Sequence, residues 1–363
     1  MAQISTIKYS SILEAHRYDA EYFKPEYLKI EKDISAHKHD ILRNVVLKVD
    51  VGFVGSMTKE YAETGVLLLQ TKNIDEFILN LSQTVFINED FHRKLKKSQI
   101  HYGDILIARS GSFGKASIYM EREVCNSSDI IIVEANLKKI NNFYLVTFLN
   151  SKFGASQLYK FASGGLQGHV NLTILENLNI PLLLESFQLQ IEEQIKEAHK
   201  KQNQSNQLYH EAEKLLLKEL GLLNNQFKHN LTFSTTKKEI EQSGRFDSEY
   251  FQPKYEEIIG KIKKYDGGSD SLGNVIKFKD KNFTPKDEEK YKYLALSNIS
   301  SQGYIKDYQE ELGKNLPSRA RRRINTDDVI ISSIEGSLSS CAIVDEEFNS
   351  AVCSTGFFVL NSE

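Results

Sequence analysis

The 363-residue chain is poor in the residues that build common reaction centres and covalent frameworks. It has three cysteines, Cys125, Cys341 and Cys353. These are too few and too scattered for a disulfide framework or a paired metal site, and they suit a reducing cytoplasm as small buried residues. Its five prolines are all isolated, which excludes the Asn/Asp-Pro-Pro-aromatic motif of amino-methyltransferases. Long apolar runs are missing as well. The longest, such as ILIA (105–108) and VLLL (66–69), fall far below the ~20 residues of a membrane span. The opening MAQISTIKYSS has no apolar core of a secretory signal, so a soluble cytoplasmic protein is expected. Charge of one sign is also missing: 46 Lys and Arg against 49 Asp and Glu give −3. A nucleic-acid site would therefore have to be a local patch.

Catalytic signatures are absent too. No GxGxxG follows a strand pattern. RSGSFGKAS (109–117) only superficially resembles a phosphate loop. Arg109 stands where its first Gly belongs, and Ala116 stands where Ser or Thr should hold magnesium. The nine histidines show neither HExxH nor paired metal spacing. The expectation is a non-catalytic chain with no metal and no cofactor of its own. At 40% hydrophobic and 26% charged it is ordinary globular material, long enough for two or three domains.

What is present is a repetition. RYDAEYFKPEY (17–27) returns as RFDSEYFQPKY (245–255), with seven of eleven positions identical. The echo continues in order, as in a duplicated domain. LRNVV (42–46) matches LGNVI (272–276), and QTKNI (70–74) resembles LSNI (296–299). KKSQIHYGDILIARSGSFGKASI (96–118) aligns with ARRRINTDDVIISSIEGSLSSCAI (320–343), and VCNSS (124–128) meets VCSTG (352–356). A complete second copy would finish near about 450. The second unit is therefore expected to be incomplete.

Tyr27, Ile30 and Ile34 predict a helix over 20–36, with Pro25 in its first turns. Residues 42–135 read as short strands separated by Gly, Asn, Asp and Ser. A helix is predicted over 142–162, then a Gly-rich loop, SGGLQGHVN (163–171). Pro181 in LNIPLLL fits a strand edge. Residues 185–221 predict one helix about 55 Å long, capped at Gly221. Ile195, Ala198, Gln202, Ser205, Tyr209, Ala212 and Leu216 form a heptad seam along it, so the helix is expected to pair. The fold class is α+β: two tandem domains of short mixed strands and helices, joined by this coiled-coil-type helix. The boundaries are 1–184, 185–222 and 223–363.

Candidate binding residues follow from the same alignment. HRKLKK (92–97) and SRARRR (318–323) occupy one repeat position, which favours phosphate contact by Lys94, Lys96, Lys97, Arg321, Arg322 and Arg323. Arg109, Ser110, Ser112 and Lys115 lie on the loop just beyond, suited to base edges. Lys72, Asn73 and Gln167 join them. The second copy reads SSIEGSLSS without the Arg and Lys, so the two loops should read different bases. Asp104 and Asp328 share a repeat position as well. GDIL and DDVI read as turn-then-strand, with Asp closing the turn.

Together RYDAEYFKPEY, GDILIARSGSFG, SGGLQGHVN and NIPLLLESFQLQIEEQI before a long helix resemble the specificity subunit of Type I restriction-modification systems. The resemblance covers nearly the whole chain. It implies two target recognition domains that each read half of a split site in double-stranded DNA. It implies two long helices that pair antiparallel and dock the methyltransferase (modification) subunits, with the motor-nuclease (restriction) subunit joining that core. S-adenosylmethionine and ATP would sit on those partners only. The sequence departs from the family in lacking the second half of domain two and the second helix. The helix at 185–222 is then left to self-associate or to stay exposed. Two other readings stay open: the recognition part of a fused restriction-methylation enzyme, and an assembly adaptor that binds no DNA.

Overall fold

The computed structural model describes residues 4–81, 83–110, 114–162, 170–279, 281–300 and 302–361. The chain divides into two compact units, 1–204 and 205–363, with the division inside the long helix Glu185–Glu219. The architecture is mixed α and β.

Unit 1 opens on the repeated motif. Arg17 forms a two-pronged ion pair with Asp19 at 2.7 and 2.8 Å, and its guanidinium lies 4.9 Å over the Tyr22 ring. The other Asp19 role is to accept from Tyr22 N, closing the turn. Pro25 then starts the helix Pro25–Ser35, where its missing N–H costs nothing. The helix is shorter than the sequence expectation because residues 20–23 form this turn instead. Ile30 and Ile34 bury its inner face, and Tyr22 and Phe23 are buried beside it.

Two sheets follow. One runs in the order Val46–Val51, Ile130–Ala135, Ile105–Ala108, Ala116–Ile118, all antiparallel. Its central strands are apolar at nearly every position because both faces are covered. The other has five strands, with Val66–Gln70 parallel to Cys125–Ser128 at its centre. The predicted helix over 142–162 is two helices, Asn142–Asn150 and Lys152–Ala162, broken at Ser151. Together with Leu172–Glu176 they contribute to the main core. Pro181 sits in a two-stranded sheet with His39–Ile41.

Unit 2 repeats this plan. Arg245 pairs with Asp247 and lies 5.0 Å over Tyr250. Pro253 opens the helix Pro253–Lys263. One sheet runs Lys277–Phe278, Phe357–Asn361, Val329–Ser332, Cys341–Ile343. The other places Lys290–Leu294 parallel to Val352–Ser354. The two Asp turns also correspond. Asp104 Oδ2 accepts from His101 N at 2.7 Å and Asp328 Oδ2 from Asn325 N at 2.8 Å. The residue before each Asp is left-handed, Gly103 at φ 91° and Asp327 at φ 67°. Burial raises the pKa of Asp104, against the hydrogen bond from His101.

The long helix ends as its sequence demands. Gly221 adopts φ 67°, and Leu222 N reaches back to Leu217 O at 2.7 Å. Among the described residues no helix is long and apolar enough to cross a membrane.

Candidate nucleic-acid interface

The hairpin Ile105–Ala108 / Ala116–Ile118 sets the geometry of the candidate reading loop. Ile107 pairs with Ala116, and Ala108 N donates to Lys115 O at 2.9 Å. Arg109 and Lys115 therefore stand at the two feet of the loop. Arg109 Nη1 donates to Asp129 Oδ1 at 2.8 Å, with about a third of the Arg109 side chain exposed. Lys115 Nζ donates to Asp75 Oδ1 at 2.6 Å, and that carboxylate raises the ammonium pKa against the opposing effect of burial.

Both acids are held by backbone. Asp129 is left-handed, φ 54°, a conformation Asp tolerates better than most residues. Its N–H donates to Phe53 O, and Thr71 Oγ1 donates to its carbonyl at 3.0 Å. Asp75 N donates to the buried Ser117 hydroxyl, which lies 2.6 Å from the Asp75 carbonyl. Asp75 and Asp129 were not among the sequence candidates. The available signal was the exchange of both for uncharged residues in the second copy.

The remaining candidates fall into distinct places. Lys72 is exposed on the turn Thr71–Asn73. Asn73 is buried, and its side chain is used up by the loop itself. Its Oδ1 accepts from Gln70 N at 2.9 Å, and its Nδ2 donates to Asn80 O and Gln83 O at 2.8 and 3.1 Å. That arrangement gives Asn73 a framework job. Ser110 is half-buried. Ser112 and Gln167 lie outside the described residues, although Val170 N, close to Gln167 in sequence, donates to Arg109 O.

Lys94, Lys96 and Lys97 are all exposed. Lys94 ends the short helix Glu89–Lys94, capped by Asn88, and the next two lie on the turn Lys96–Ser98. Ser98 anchors that turn from below by donating to Asn126 Oδ1 at 2.6 Å. The second cluster differs because it lies in the strand Ala320–Arg323. Counted back from the shared Asp turn, Arg322 falls where unit 1 has buried Ser98. It is half-buried, with Nε and Nη1 enclosed and without partners. Arg321 Nε donates to Ser318 O, and exposed Arg323 lies 5.2 Å over the Phe283 ring. The three arginines are thus less free than the three lysines.

Along the long helix, Ile195 packs against the unit 1 core and is not available to a partner helix. Gln202 is half-buried, and Ala198 and Ala212 are exposed. Tyr209 stacks on Tyr304 with centroids 6.2 Å apart. Leu216 stays 59% exposed, and its neighbours Leu208 and Leu215 stay 58% and 69% exposed, which leaves an apolar stripe open on the second half. The buried Cys125 and Cys353 have thiols pushed up to about 12 by burial, so both are unreactive at neutral pH. Among the described residues no group of three or more His, Cys, Asp or Glu is placed to hold a metal.

Unit 1 thus presents a hairpin loop with Arg109 and Lys115 at its feet and an exposed flank at Lys94, Lys96 and Lys97. Residues 56–213 match the family model of the Type I restriction modification DNA specificity domain, a span that includes the loop, the lysines and most of the long helix. That matched segment is similar to this domain family. Similar solved structures include a Type I restriction-modification S subunit from M. genitalium, 13% identical, TM-score 0.42, covering 89% of this chain and 72% of that one. The HsdS subunit from Thermoanaerobacter tengcongensis is also 13% identical, TM-score 0.32, covering 90% and 75%. No curated protein matches the chain significantly.

Proposed function

We propose that this chain is the non-catalytic subunit that directs a Type I restriction-modification complex to a bipartite DNA site. The family match over residues 56–213 carries this reading, because it spans the lysine flank and the loop together. Lys94, Lys96 and Lys97 neutralise phosphates and make affinity depend on salt. Arg109, Lys115 and Lys72 read base edges in a groove, each good contact giving about 1–3 kcal/mol of discrimination. The second unit reads the other half-site with a different loop. Linking two weak readings in one chain raises their joint affinity through effective concentration. Adenine methylation with S-adenosylmethionine and ATP-driven cleavage belong to partner subunits in the cytoplasm. The long helix serves as their dock.

The test is duplex binding as a function of salt. Replacing Lys94, Lys96 and Lys97 together by Ala should lower the slope of log K against log salt by up to about 2.7, at about 0.9 per phosphate. An unchanged slope would remove these lysines from the interface. Failure of the chain to bind any duplex at low salt would favour an assembly adaptor.

A further inference from the structure

We infer that Asp129 and Asp75 are positioning residues that set the base preference of unit 1, by fixing how Arg109 and Lys115 are presented. This rests on the proposal that the loop reads DNA.

The argument comes from comparing the two copies position by position. The same backbone bond closes both hairpins, Ala108 N to Lys115 O and Ser332 N to Ser340 O, each 2.9 Å. This equates Lys115 with Ser340 and Arg109 with Ser333. The strand partners Ala108–Ile130 and Ser332–Phe357 equate Asp129 with Gly356. The matched bonds Asn80 N to Asn73 O and Lys306 N to Asn298 O equate Asp75 with Ser300. Each ion pair of unit 1 is therefore exchanged as a pair. Arg109–Asp129 becomes Ser333–Gly356, and Lys115–Asp75 becomes Ser340–Ser300.

The framework around them is not exchanged. Asn73 and Asn298 cap the same turn, and Asp104 and Asp328 close the same turn. The hairpin therefore forms without either ion pair, and the pairs are not what holds it. An exposed ion pair also contributes little stability, about 0–1 kcal/mol. What a carboxylate at 2.8 Å does supply is direction. It holds one guanidinium nitrogen, Nη1, and so restricts how the group is presented. Asp129 is itself fixed by the bonds to Phe53 and Thr71. A long side chain that would otherwise sample many rotamers is thereby narrowed before it meets a base.

The experiment is selection from randomised duplexes with the full chain, comparing Asp129→Asn, Asp75→Asn, Arg109→Ala and Lys115→Ala. Asn tolerates the left-handed backbone at 129, so the fold is kept and only the charge is lost. Melting temperatures matching the parent's check this. Asp129→Asn should change the preference at the same base positions as Arg109→Ala, by about tenfold in ratio. Asp75→Asn should do the same at the positions read by Lys115. If both Asn variants instead tighten binding to every duplex equally and keep the original preference, the acids act only as bulk negative charge and the inference fails. If Arg109→Ala and Lys115→Ala also leave the preference unchanged, the base-reading assignment itself has failed.

Discussion

Replacing Asn73 by Ala separates the framework role of this side chain from a role in DNA contact. Its side chain makes three bonds to backbone, one accepted from Gln70 N and two donated to Asn80 O and Gln83 O. Alanine leaves the Gln70 N–H without its partner in a half-buried place, at a cost of about 1–3 kcal/mol. The two carbonyls belong to exposed residues and regain water, so each lost bond adds only about 0.5–1 kcal/mol. The sum is about 2–5 kcal/mol. For a unit of about 200 residues this lowers the melting temperature by roughly 4–20 °C. Calorimetry of the full chain should show the loss in the transition assigned to unit 1. The matching variant Asn298→Ala removes the cap on Ala295 N and should lower the transition of unit 2. If Asn73→Ala melts like the parent and alters only which DNA is selected, the framework assignment is wrong.

Lys160 is 4% exposed, ion-paired to Glu31, and lies 4.3 Å over Tyr22. Lys160→Ala should destabilise unit 1 by about 2–4 kcal/mol, less than a fully buried pair because Glu31 is one third exposed; urea unfolding measures it. The hydrogen bonds from Arg17 hold the Asp19 carboxyl below its ordinary value of 3.8. A carboxyl depressed on folding stabilises above its unfolded pKa and loses that stabilisation as pH falls through the folded value. Asp19→Asn should therefore flatten the loss of stability below pH 3.8, read from melting temperature against pH. Gly154 sits where a Cβ would press into the Phe148 carbonyl and the Leu149 backbone, so Gly154→Ala should cost about 1–3 kcal/mol by forcing the two helices apart.

The sequence pattern was sufficient wherever one physical preference dominated. Continuous β-branched runs such as Ile130–Ala135 could only be covered strands, and Gly221 could only end the long helix. The break at Ser151 was hidden because apolar residues lie close on both sides of the polar Asn150–Lys152 step. It depends on Gly154 allowing a close helix crossing, which periodicity does not register. The burial of Asn73 was hidden for a related reason. Beside Lys72 in a polar stretch it looks like a surface residue, and only the tertiary loop buries it. The repeat carried the corrective signal. Asn73 recurs as Asn298 while Lys72 becomes Ser297, so the Asn is common to both frames and the Lys is particular to one. Arg322 is a second case of the same kind. The run of arginines suggested a free basic face, but strand alternation turns one of them inward, to the place of Ser98.

The paired Asp turns have a consequence for how such a protein changes over generations. Each hairpin is anchored at its base by a carboxylate that accepts from the chain three residues earlier, and each neighbouring turn is tied by a buried amide. Neither anchor involves the residues between the hairpin feet. Those residues can mutate, lengthen by one, or be transplanted from one unit to the other without renegotiating the fold beneath them. Residues 109–115 grafted in place of 333–340, together with Asp at 356 and 300, would move the loop and both of its ion pairs as one cassette. Because positions 300 and 356 bracket the graft, the loop and both of its ion-pair partners travel together on one continuous stretch of the gene.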